Sequence, residues 1–482
     1  MISDLKPYPE YKESGLPWLG KVPAHWDTLR MRHTCEMRVS NVDKHSKPNE
    51  QAIRLCNYVD VYKHERITEH LKFMPATGSS DECYRFRLCK GDVLITKDSE
   101  SWKDIGVPSL VEHEAPDLVC GYHLAILRPR AGLLGAYLHR ALQSPLIAAQ
   151  LHVQANGVTR YGLSQGAILG VSIPVPTPTE QGAIVRFLDW ANGRLERAIR
   201  AKRKVIALLT EQKQAIIHRA VTRGLDPNVA LKPSGIPWLG AIPAHWEVLQ
   251  LRRVVSLVTS GSRGWANYYS DDGLIFLQSG NLGRSMSLKL SFIQHVSPPD
   301  GAEGVRTRVK KNDVLVCITG ALTGNAVIVD QELDGPAFVN QHIALVRPKV
   351  DIVHPRFLAY LLHSEVGRAQ FKTNEYGGTK QGLGLGDVKS IFLPLPPLAE
   401  QKALCDQLDS HTERFTGAIA RLEREIALLR EYRTRLVADV VTGKLDVREA
   451  AARLPDEAPL DVADVDPELA DDDELPDEEA VE

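Results

Sequence analysis

The chain has 482 residues, of which 58 are Lys or Arg and 61 are Asp or Glu, so its formal net charge is −3. At about 100–200 residues per domain, this length predicts two or more compact domains. The sequence contains no run of about 18 apolar residues, which argues against a transmembrane helix. Its polar start lacks the apolar stretch of a signal peptide, so we expect a cytoplasmic protein. The 7 cysteines include no Cys-x-x-Cys pair, which argues against a disulfide framework and a thiolate zinc site.

The charge is unevenly distributed along the chain. Residues 454–482 contain 14 acidic residues and no Lys or Arg, which leaves 58 basic and 47 acidic residues in the body, a net charge of +11. A basic body with an acidic tail favours a polyanionic partner for the body. The alternative is an ordinary solvated surface with a solubilising tail.

The sequence contains an internal repeat. Ser14-Gly-Leu-Pro-Trp-Leu-Gly-Lys-Val-Pro-Ala-His-Trp26 returns 220 residues later as Ser234-Gly-Ile-Pro-Trp-Leu-Gly-Ala-Ile-Pro-Ala-His-Trp246, with 10 identities in 13 positions. Four further pairs of segments keep nearly the same offset. Chance does not keep five pairs in register, so the sequence predicts two equivalent units, each a domain followed by a helix.

The two halves differ in certain loops. Residues 97–103 read Lys-Asp-Ser-Glu-Ser-Trp-Lys, whereas residues 319–325 read Thr-Gly-Ala-Leu-Thr-Gly-Asn. Because binding residues are concentrated on loops, we expect two similar modules that are specialised differently. Aromatic residues at fixed places more often fill a core, so we interpret the tryptophans of the repeated openings as core anchors: Trp18, Trp26, Trp238 and Trp246.

Each globular module is predicted to have a mixed α/β fold. Strand-like runs bounded by Gly, Pro, Asn or Asp lie at residues 92–96, 123–127, 313–318 and 343–346. Helical patterns cover residues 136–151 and 355–371. The fold class is therefore α/β in the mixed (α+β) sense.

A long helix is predicted to follow each module. Thr177-Pro-Thr-Glu180 places a hydroxyl at the N-cap, Pro at the first helical position and Glu at the third, whereas Pro397-Leu-Ala-Glu400 keeps only the Glu. Apolar residues at heptad-like spacing form a seam along both helices: Leu188, Leu195, Leu209, Leu408, Phe415, Leu422 and Leu429. A helix of about 45 residues is about 67 Å long and cannot bury such a seam alone. The simplest partner is the other helix.

Signatures of catalysis are weak. Gly377–Gly384 is glycine-rich but lacks the Gly-Lys-Ser/Thr ending of a phosphate-binding loop. Ser297-Pro-Pro-Asp300 resembles an amino-methyltransferase motif, but it ends in Asp instead of an aromatic residue that could stack on a base. Glu10-Tyr-Lys12 has the spacing of a metal-dependent nuclease without an acidic partner. We therefore predict no catalytic residue and no metal site in this chain.

Taken in their order along the chain, these features resemble the specificity subunit of type I restriction–modification systems. The resemblance rests on the tryptophan openings, Lys97-Asp-Ser-Glu-Ser-Trp102, Gly157-Val-Thr-Arg-Tyr-Gly-Leu163 and the Pro-x-Pro…Glu-Gln helix starts. It covers about residues 5–446, and the acidic tail lies outside the family pattern.

The resemblance implies two target recognition domains, each reading one half of a bipartite DNA sequence. It places the first at residues 1–176 and the second, with its linker, at residues 227–396. The long helices, at residues 177–226 and 397–446, would pair as an antiparallel coiled coil with pseudo-two-fold symmetry and dock partner subunits. The charge distribution, and not the resemblance, predicts that the remaining residues, 447–482, form a disordered acidic tail.

The implied partners are double-stranded DNA, methylation subunits and restriction subunits, and no membrane is involved. S-adenosylmethionine, ATP and Mg would be bound by the partner subunits, so this chain would carry no cofactor and no enzymatic activity of its own. Two alternatives remain open at this point. One is a protein scaffold built on a coiled coil that does not bind DNA, and the other is a self-sufficient nuclease or methylase.

Candidate DNA contacts are taken from the loops of both modules. Arg, Lys, Asn and Gln read base edges, but most DNA hydrogen bonds go to the backbone. The candidates are Lys97, Ser101, Trp102, Lys103, Thr159, Arg160, Tyr161, Arg263, Asn267, Tyr268, Asn325, Thr379, Lys380 and Gln381. The Gly-x-Thr loops recur in both halves, so we favour contacts with the DNA backbone for Thr159, Arg160, Thr379 and Lys380. The divergent loops are the better candidates for reading sequence.

Overall fold

The computed structural model of the chain describes residues 5–261, 263–283, 285–298, 305–374 and 382–455. It divides into two compact units. Unit 1 comprises Met1–Arg203 with Glu423–Glu482, and unit 2 comprises Lys204–Leu422. Each unit therefore contains the first half of one long helix and the second half of the other, whereas the sequence alone suggested that each helix is an appendage of its own domain.

Unit 1 is a mixed α/β unit. Its strands are β1 Tyr11–Glu13, β2 Lys21–Pro23, β3 Asp27–Arg30, β4 Cys35–Val39, β5 Gln51–Cys56, β6 Arg66–Ile67, β7 Met74–Gly78, β8 Val93–Thr96, β9 Asp98–Ser99, β10 Pro108–Val111, β11 Leu118–Cys120, β12 Leu124–Pro129, β13 Tyr161–Gly162 and β14 Ser172–Val175. Its helices are α1 Met31–Thr34, α2 Tyr58–Lys63, α3 Ser80–Phe86, α4 Gly135–Leu142, α5 Pro145–His152, α6 Gln165–Gly170 and the first part of α7 Pro178–Arg223.

The main sheet of unit 1 separates two hydrophobic cores. Five strands pair in the order β4-β12-β8-β10-β6, and three others pair in the order β11-β5-β7. Val93 and Ile95 of β8 join the core that holds Trp26, whereas Leu94 joins the core that holds Leu118. A strand with apolar residues on both faces reads as a continuous apolar run, which is why β8 could be predicted from its sequence.

Unit 2 repeats much of this arrangement. Its strands are β15 Leu231–Pro233, β16 Ala241–Pro243, β17 Glu247–Gln250, β18 Val255–Ser260, β19 Tyr269–Ser270, β20 Leu274–Leu277, β21 Gln294–Val296, β22 Val314–Cys317, β23 Ala326–Ile328, β24 Ala337–Val339, β25 Ile343–Pro348 and β26 Phe392–Leu395. The remaining helices are α8 Leu251–Val254, α9 Pro355–His363, α10 Glu365–Asn374, α11 Leu385–Ser390 and α12 Leu398–Val441, followed by α13 Arg448–Ala452 in unit 1.

The strand pairing recurs between the units. The order β4-β12-β8 of unit 1 is matched by β18-β25-β22 of unit 2, and the pairing of β14 with β3 by that of β26 with β17. The registers agree as well, since Val93 pairs with Leu127 and Val314 pairs with Val346. The sequence repeat is therefore a repeat of structure.

A buried glutamine fixes the start of each long helix. In unit 1, Gln181 accepts a hydrogen bond from the Leu134 amide (2.8 Å) and donates to the carbonyls of Gly132 (2.9 Å) and Pro176 (2.8 Å). In unit 2, Gln401 makes the same three bonds, to the His354 amide (2.7 Å) and to the carbonyls of Ile352 (3.1 Å) and Pro396 (2.8 Å). The repeated Gln therefore joins the helix to the domain that precedes it.

The histidine of the repeated His-Trp pair contacts the Glu beside that glutamine. His25 Nε2 lies 2.9 Å from Glu180 Oε2 in unit 1, and His245 Nε2 lies 2.7 Å from Glu400 Oε2 in unit 2. Both Trp26 and Trp246 are fully buried, which confirms their interpretation as core anchors. The interpretation was wrong for Trp238, which is 48% exposed, and Trp18 is only partly buried.

Two of the predicted helices are each a pair of short helices. The pattern at residues 136–151 is divided between α4 and α5, where Pro145 follows Ser144 and cannot supply an amide to a continuing helix. The pattern at residues 355–371 is divided between α9 and α10 at Ser364, whose hydroxyl accepts a bond from the Val366 amide. No helix of the described ranges has both the length and the apolarity needed to cross a membrane.

The predicted tail begins too early. Residues 448–452 form α13, and Val447, Ala451 and Leu454 are buried in the core of unit 1. The Asp446 amide also donates to the Lys6 carbonyl (2.8 Å). Residues 443–455 are therefore part of unit 1, and residues 456–482 lie outside the described residues.

Candidate nucleic-acid interface

Three segments of unit 1 meet where β8 ends. The Lys97 amide donates to the His123 carbonyl (2.8 Å), and the Leu163 amide donates to the Lys97 carbonyl (3.0 Å). The loop that follows β8 is closed by Thr96, whose hydroxyl donates to the Asp104 carbonyl (2.8 Å). Backbone bonds thus bring residues 97–104, 122–123 and 157–163 together.

Four side chains at this place form what we call the strand-end cluster: Lys97, Asp98, His123 and Arg160. Lys97 Nζ lies 2.6 Å from Asp98 Oδ2, His123 Nδ1 lies 2.9 Å from the same oxygen, and Arg160 Nη2 lies 3.1 Å from His123 Nε2. Burial alone raises the pKa of Asp98, but hydrogen bonds from Lys97 and His123 outweigh it and hold the pKa below its usual range. Asp98 is therefore the fixed negative charge around which the cluster is arranged.

The loop that carries Arg160 has a rigid base. Asn156 and Gly162 exchange two backbone hydrogen bonds (3.1 and 2.9 Å), and β13 pairs Tyr161 with Ser99. Gly157 has a φ of +154°, and a Cβ at this position would collide with the Arg160 carbonyl, so the turn requires glycine. Thr159 and Arg160 are exposed at the tip of this loop.

Aromatic side chains lie on, or contact, the segment that follows the strand-end residues Lys97 and Asp98. Tyr58 and Tyr62 stack with ring centroids 5.7 Å apart, and the Tyr58 hydroxyl donates to Ser99 Oγ (3.1 Å). Trp102 is 44% exposed, and Lys103 Nζ lies 5.7 Å from its ring centroid. Basic and aromatic groups on one surface are typical of nucleic-acid binding.

The candidate residues of the first module are therefore brought together. Lys97, Arg160 and Tyr161 belong to the strand-end cluster or its supporting strand, and Ser101 caps the short helix Trp102–Asp104 by accepting from the Lys103 amide (3.2 Å). Sequence reasoning missed Asp98, His123 and the two stacked tyrosines. Asp98 stands in a quoted motif and His123 in a repeated segment, but neither position showed that the two side chains meet.

The candidates of the second module lie on a differently built surface. Arg263, Asn267 and Tyr268 are exposed on and beside the short helix Trp265–Tyr268. Trp265 anchors this helix, since its ring stacks on Phe276 (centroids 5.6 Å apart). The structure presents these three residues to solvent.

Asn325 requires a correction. It is buried, and its Nδ2 lies 3.1 Å from the Leu282 carbonyl and 3.3 Å from the Gly283 carbonyl. The amide therefore fixes the loop at residues 282–283, and we remove Asn325 from the candidate contacts. The remaining candidates, Thr379, Lys380 and Gln381, lie outside the described residues.

The backbone of the strand-end region is common to both modules. The Ile318 amide donates to the His342 carbonyl (2.9 Å), and the Leu383 amide donates to the Ile318 carbonyl (2.9 Å), as at Lys97 in the first module. An isolated bridge between Thr319 and Gly382 takes the place of the β9–β13 pair. The two modules thus share this backbone arrangement, which we call the frame, but carry different side chains on it.

The seam residues of the long helices differ in burial. Leu188 packs with Leu436 and Val440 inside unit 1, and Leu408 packs with Val221 inside unit 2. Leu188 and Leu408 are both fully buried. We therefore assign these two seam residues, which lie on the helices expected to dock partner subunits, to the cores of the units. The other seam residues are only partly buried: Leu195, Leu209, Phe415, Leu422 and Leu429.

The two long helices contact one another within each unit. In unit 1, Lys202 Nζ forms a short hydrogen bond (2.5 Å) with Glu425 Oε2, and Arg433 lies 3.7 Å from Glu196. In unit 2, Lys213 Nζ donates to Thr416 Oγ1 (2.9 Å). Within unit 1, the contact position on α12 moves back from residue 433 to residue 425 as the position on α7 advances from residue 196 to residue 202.

Comparison with known proteins identifies relatives for most of the chain. Residues 305–427 match the type I restriction modification DNA specificity domain. A putative type I restriction enzyme specificity subunit, MjaX, from Methanocaldococcus jannaschii is 23% identical over 450 residues, which cover 89% of this chain and 96% of that protein. The EcoBI specificity subunit from Escherichia coli is 24% identical over 330 residues, 64% of this chain and 68% of that one.

A solved structure shows the same fold. The solved chain comes from a study of complex assembly and conformational transition of the type I R-M system. The match covers 88% of the present protein and 99% of the solved chain, with a TM-score of 0.55 and 18% sequence identity. Residues 305–427 thus match the type I restriction modification DNA specificity domain, and the chain as a whole is similar to type I restriction enzyme specificity subunits.

Proposed function

We propose that this chain gives a type I restriction–modification complex its DNA specificity by reading a bipartite target, one half with each module. The observation that carries the proposal is the combination of a duplicated frame with divergent loops. The helix-start glutamines and the strand-end backbone bonds are repeated, while the side chains presented at the strand ends differ. Two readers that share a frame but differ in surface suit two unequal half-sites.

An antiparallel coiled coil would hold the two modules at a set separation. The contacts between Lys202 and Glu425 in unit 1, and between Lys213 and Thr416 in unit 2, support such a pairing. The helices have 46 and 44 residues, or about 69 and 66 Å at 1.5 Å per residue. Half-sites on one face of DNA recur about every 34 Å, so a stiff spacer of this length suits a target split by a non-contacted segment.

Basic loop residues would provide affinity and the divergent loops would provide sequence preference. We propose contacts with DNA phosphates for Thr159 and Arg160, because their loop has a counterpart in the second module. Lys103 and Trp102 in the first module, and Asn267 in the second, stand on loops without a counterpart and are proposed to read bases. Phosphate contacts make binding strongly dependent on salt.

The long helices would also dock methylation subunits. Leu208 and Leu428 are 50% and 58% exposed, and they occupy equivalent positions of the repeat. Large apolar side chains that recur on the surface of two equivalent helix segments suit two copies of one partner. S-adenosylmethionine, ATP and Mg would be bound by the methylation and restriction subunits, and this chain would take no part in bond making or breaking.

Mapping of methylated adenines tests the proposal. Cells that carry the methylation subunits should show a split methylation motif when this chain is present and none when it is deleted. Exchanging residues 30–150 for those of a related protein should alter one half of that motif and leave the other half and the spacing unchanged. Methylation that does not depend on this chain, or an exchange that alters both halves, would contradict the proposal. Duplex binding that is absent even with the partner subunits would favour the protein scaffold.

A further inference from the structure

His123 adopts a backbone conformation that histidine rarely takes. Its φ is +72°, in the left-handed region, and among the non-glycine residues of the described ranges this region is shared only by Asn49, Met286 and Asn312. The conformation lets the His123 carbonyl accept from the Lys97 amide while the ring turns towards Asp98. An unusual backbone conformation held in place by its surroundings is a feature of functional sites.

The hydrogen bonds of the His123 ring are determined by its neighbours. The Asp98 carboxylate pairs with Lys97 and only accepts hydrogen bonds, so His123 Nδ1 donates to it. The Arg160 guanidinium only donates, so His123 Nε2 accepts from it. The ring therefore carries its proton on Nδ1 and stands as an uncharged bridge between a carboxylate and a guanidinium.

An uncharged bridge, unlike a salt bridge, holds Arg160 without neutralising the positive charge of its guanidinium. A carboxylate bound directly to the guanidinium would fix its position and also neutralise its charge. His123 fixes one Nη2 atom, while the negative charge of Asp98 is matched by Lys97 at 2.6 Å. The positive charge of Arg160 and its other donors thus remain available to an anion, and Arg160 is exposed.

The second module keeps the histidine but, in the part of it that the structure describes, not the Lys-Asp pair beside it. His342 occupies the equivalent position, but Ile318 and Thr319 replace the Lys-Asp pair, and His342 Nε2 lies 3.1 Å from Gln341 Nε2. His342 also has no left-handed backbone. The bridge is therefore a property of the first module and not a requirement of the frame.

We propose that His123 is a positioning residue that holds the Arg160 guanidinium, still charged, ready to contact a phosphate of the DNA in the first half-site. This inference rests on the proposed function and adds to it how one phosphate contact is organised. Ordering a long side chain before binding contributes roughly two- to tenfold in affinity. Loss of His123 should therefore weaken DNA binding by about that factor without removing the charge that makes the contact.

A double-mutant cycle on the full-length chain with its partner subunits tests the inference. The probe is a fluorescent 40-base-pair duplex of unrelated sequence, titrated at several salt concentrations. Arg160→Ala should weaken binding about tenfold at low salt and reduce the slope of log affinity against log salt by about 0.9, one phosphate contact. His123→Ala should weaken binding by roughly two- to tenfold with the slope unchanged, and should add no loss in the Arg160→Ala background.

Two further variants serve as controls. His123→Asn keeps a residue that tolerates positive φ but is too short to bridge Asp98 and Arg160, so it should behave as His123→Ala even if the alanine variant is unstable. Arg85→Ala removes an exposed basic side chain that lies outside the strand-end cluster and already pairs with Asp81 (3.3 Å). It is not among the proposed DNA contacts, so this variant should change affinity by less than twofold.

The possible results separate the inference from the proposed function. A loss from His123→Ala that persists in the Arg160→Ala background would show a merely structural role and overturn the inference, as would a reduced salt slope in His123→Ala alone. Unchanged binding by Arg160→Ala would overturn it too, together with the phosphate contact proposed for Arg160, while leaving the reading of a bipartite target by two modules untouched. Failure of the wild-type complex to bind any duplex would instead contradict the proposed function.

Discussion

Replacing Gln181 with Ala should destabilise the start of α7 by about 3 kcal/mol. The side chain is fully buried, and it accepts one hydrogen bond and donates two, at 2.8–2.9 Å, to backbone groups of the preceding domain. Each lost bond costs about 1 kcal/mol, and more where the partner stays buried, which gives about 3 kcal/mol for three bonds. Gln401→Ala should cost the same, because the three bonds are repeated there.

Hydrogen exchange read by mass spectrometry is the suitable assay, because a chain with two units need not unfold in a single step. Peptides that cover the first turns of α7 should exchange about a hundredfold faster in Gln181→Ala, and those of α12 should do so in Gln401→Ala, since about 1.4 kcal/mol corresponds to a factor of ten. Gln212→Ala, at an exposed position of α7, should change exchange by less than threefold. Exchange at wild-type rates in either buried variant would refute the reasoning.

Three further predictions concern the charge and the surface of the chain. Burial raises the pKa of Glu65, but the charge of Arg140 outweighs burial and brings the pKa to about 2. Glu65→Gln should therefore lower the melting temperature above about pH 4.5, and the difference from the wild type should vanish as the pH falls towards 2. A difference that stays constant with pH would contradict the ion pair. Leu208→Glu and Leu428→Glu should each remove one methylation subunit from the complex, and a mass by light scattering equal to that of the wild type would argue against docking there. Ending the chain after Pro455 removes all 14 acidic residues of the tail while keeping α13. If the tail competes with DNA, this truncation should tighten non-specific duplex binding at low salt. Unchanged affinity would contradict the competition.

The frame of the protein could be predicted from sequence because its determinants are local or repeated. The first long helix was expected at residues 177–226 and occupies Pro178–Arg223, and the second was expected at residues 397–446 and occupies Leu398–Val441. Thr177 accepts from the Glu180 amide (3.4 Å) as the N-cap predicts. The Glu180 carboxylate, however, faces His25 and Tyr8 instead of completing a capping box. A tertiary contact therefore replaced a local one.

The contacts of the loops could not be predicted because they depend on residues far apart in the chain. Asn325 and Asn267 are both polar residues in segments that the sequence predicts to be loops, yet only the fold shows that Asn325 is satisfied by the carbonyls of Leu282 and Gly283. Asp98, His123 and Arg160 are separated by 25 and 37 residues. Composition can show that a loop is polar, but it does not show which polar groups are already paired within the protein.

The two equivalent histidines show how such a frame can acquire different surfaces. His123 and His342 follow the same strand-end bonds, so the frame alone does not distinguish them. The difference is made by their neighbours: beside Lys97 and Asp98 the ring turns to bridge an arginine, and beside Ile318 and Thr319 it contacts Gln341. Exchanging two residues after one strand thus changes the hydrogen bonds of a third residue that is itself retained. If Arg160 contacts a phosphate as proposed, residues that touch no base would fix the position of the module on the DNA, and thereby which bases its other loops can contact.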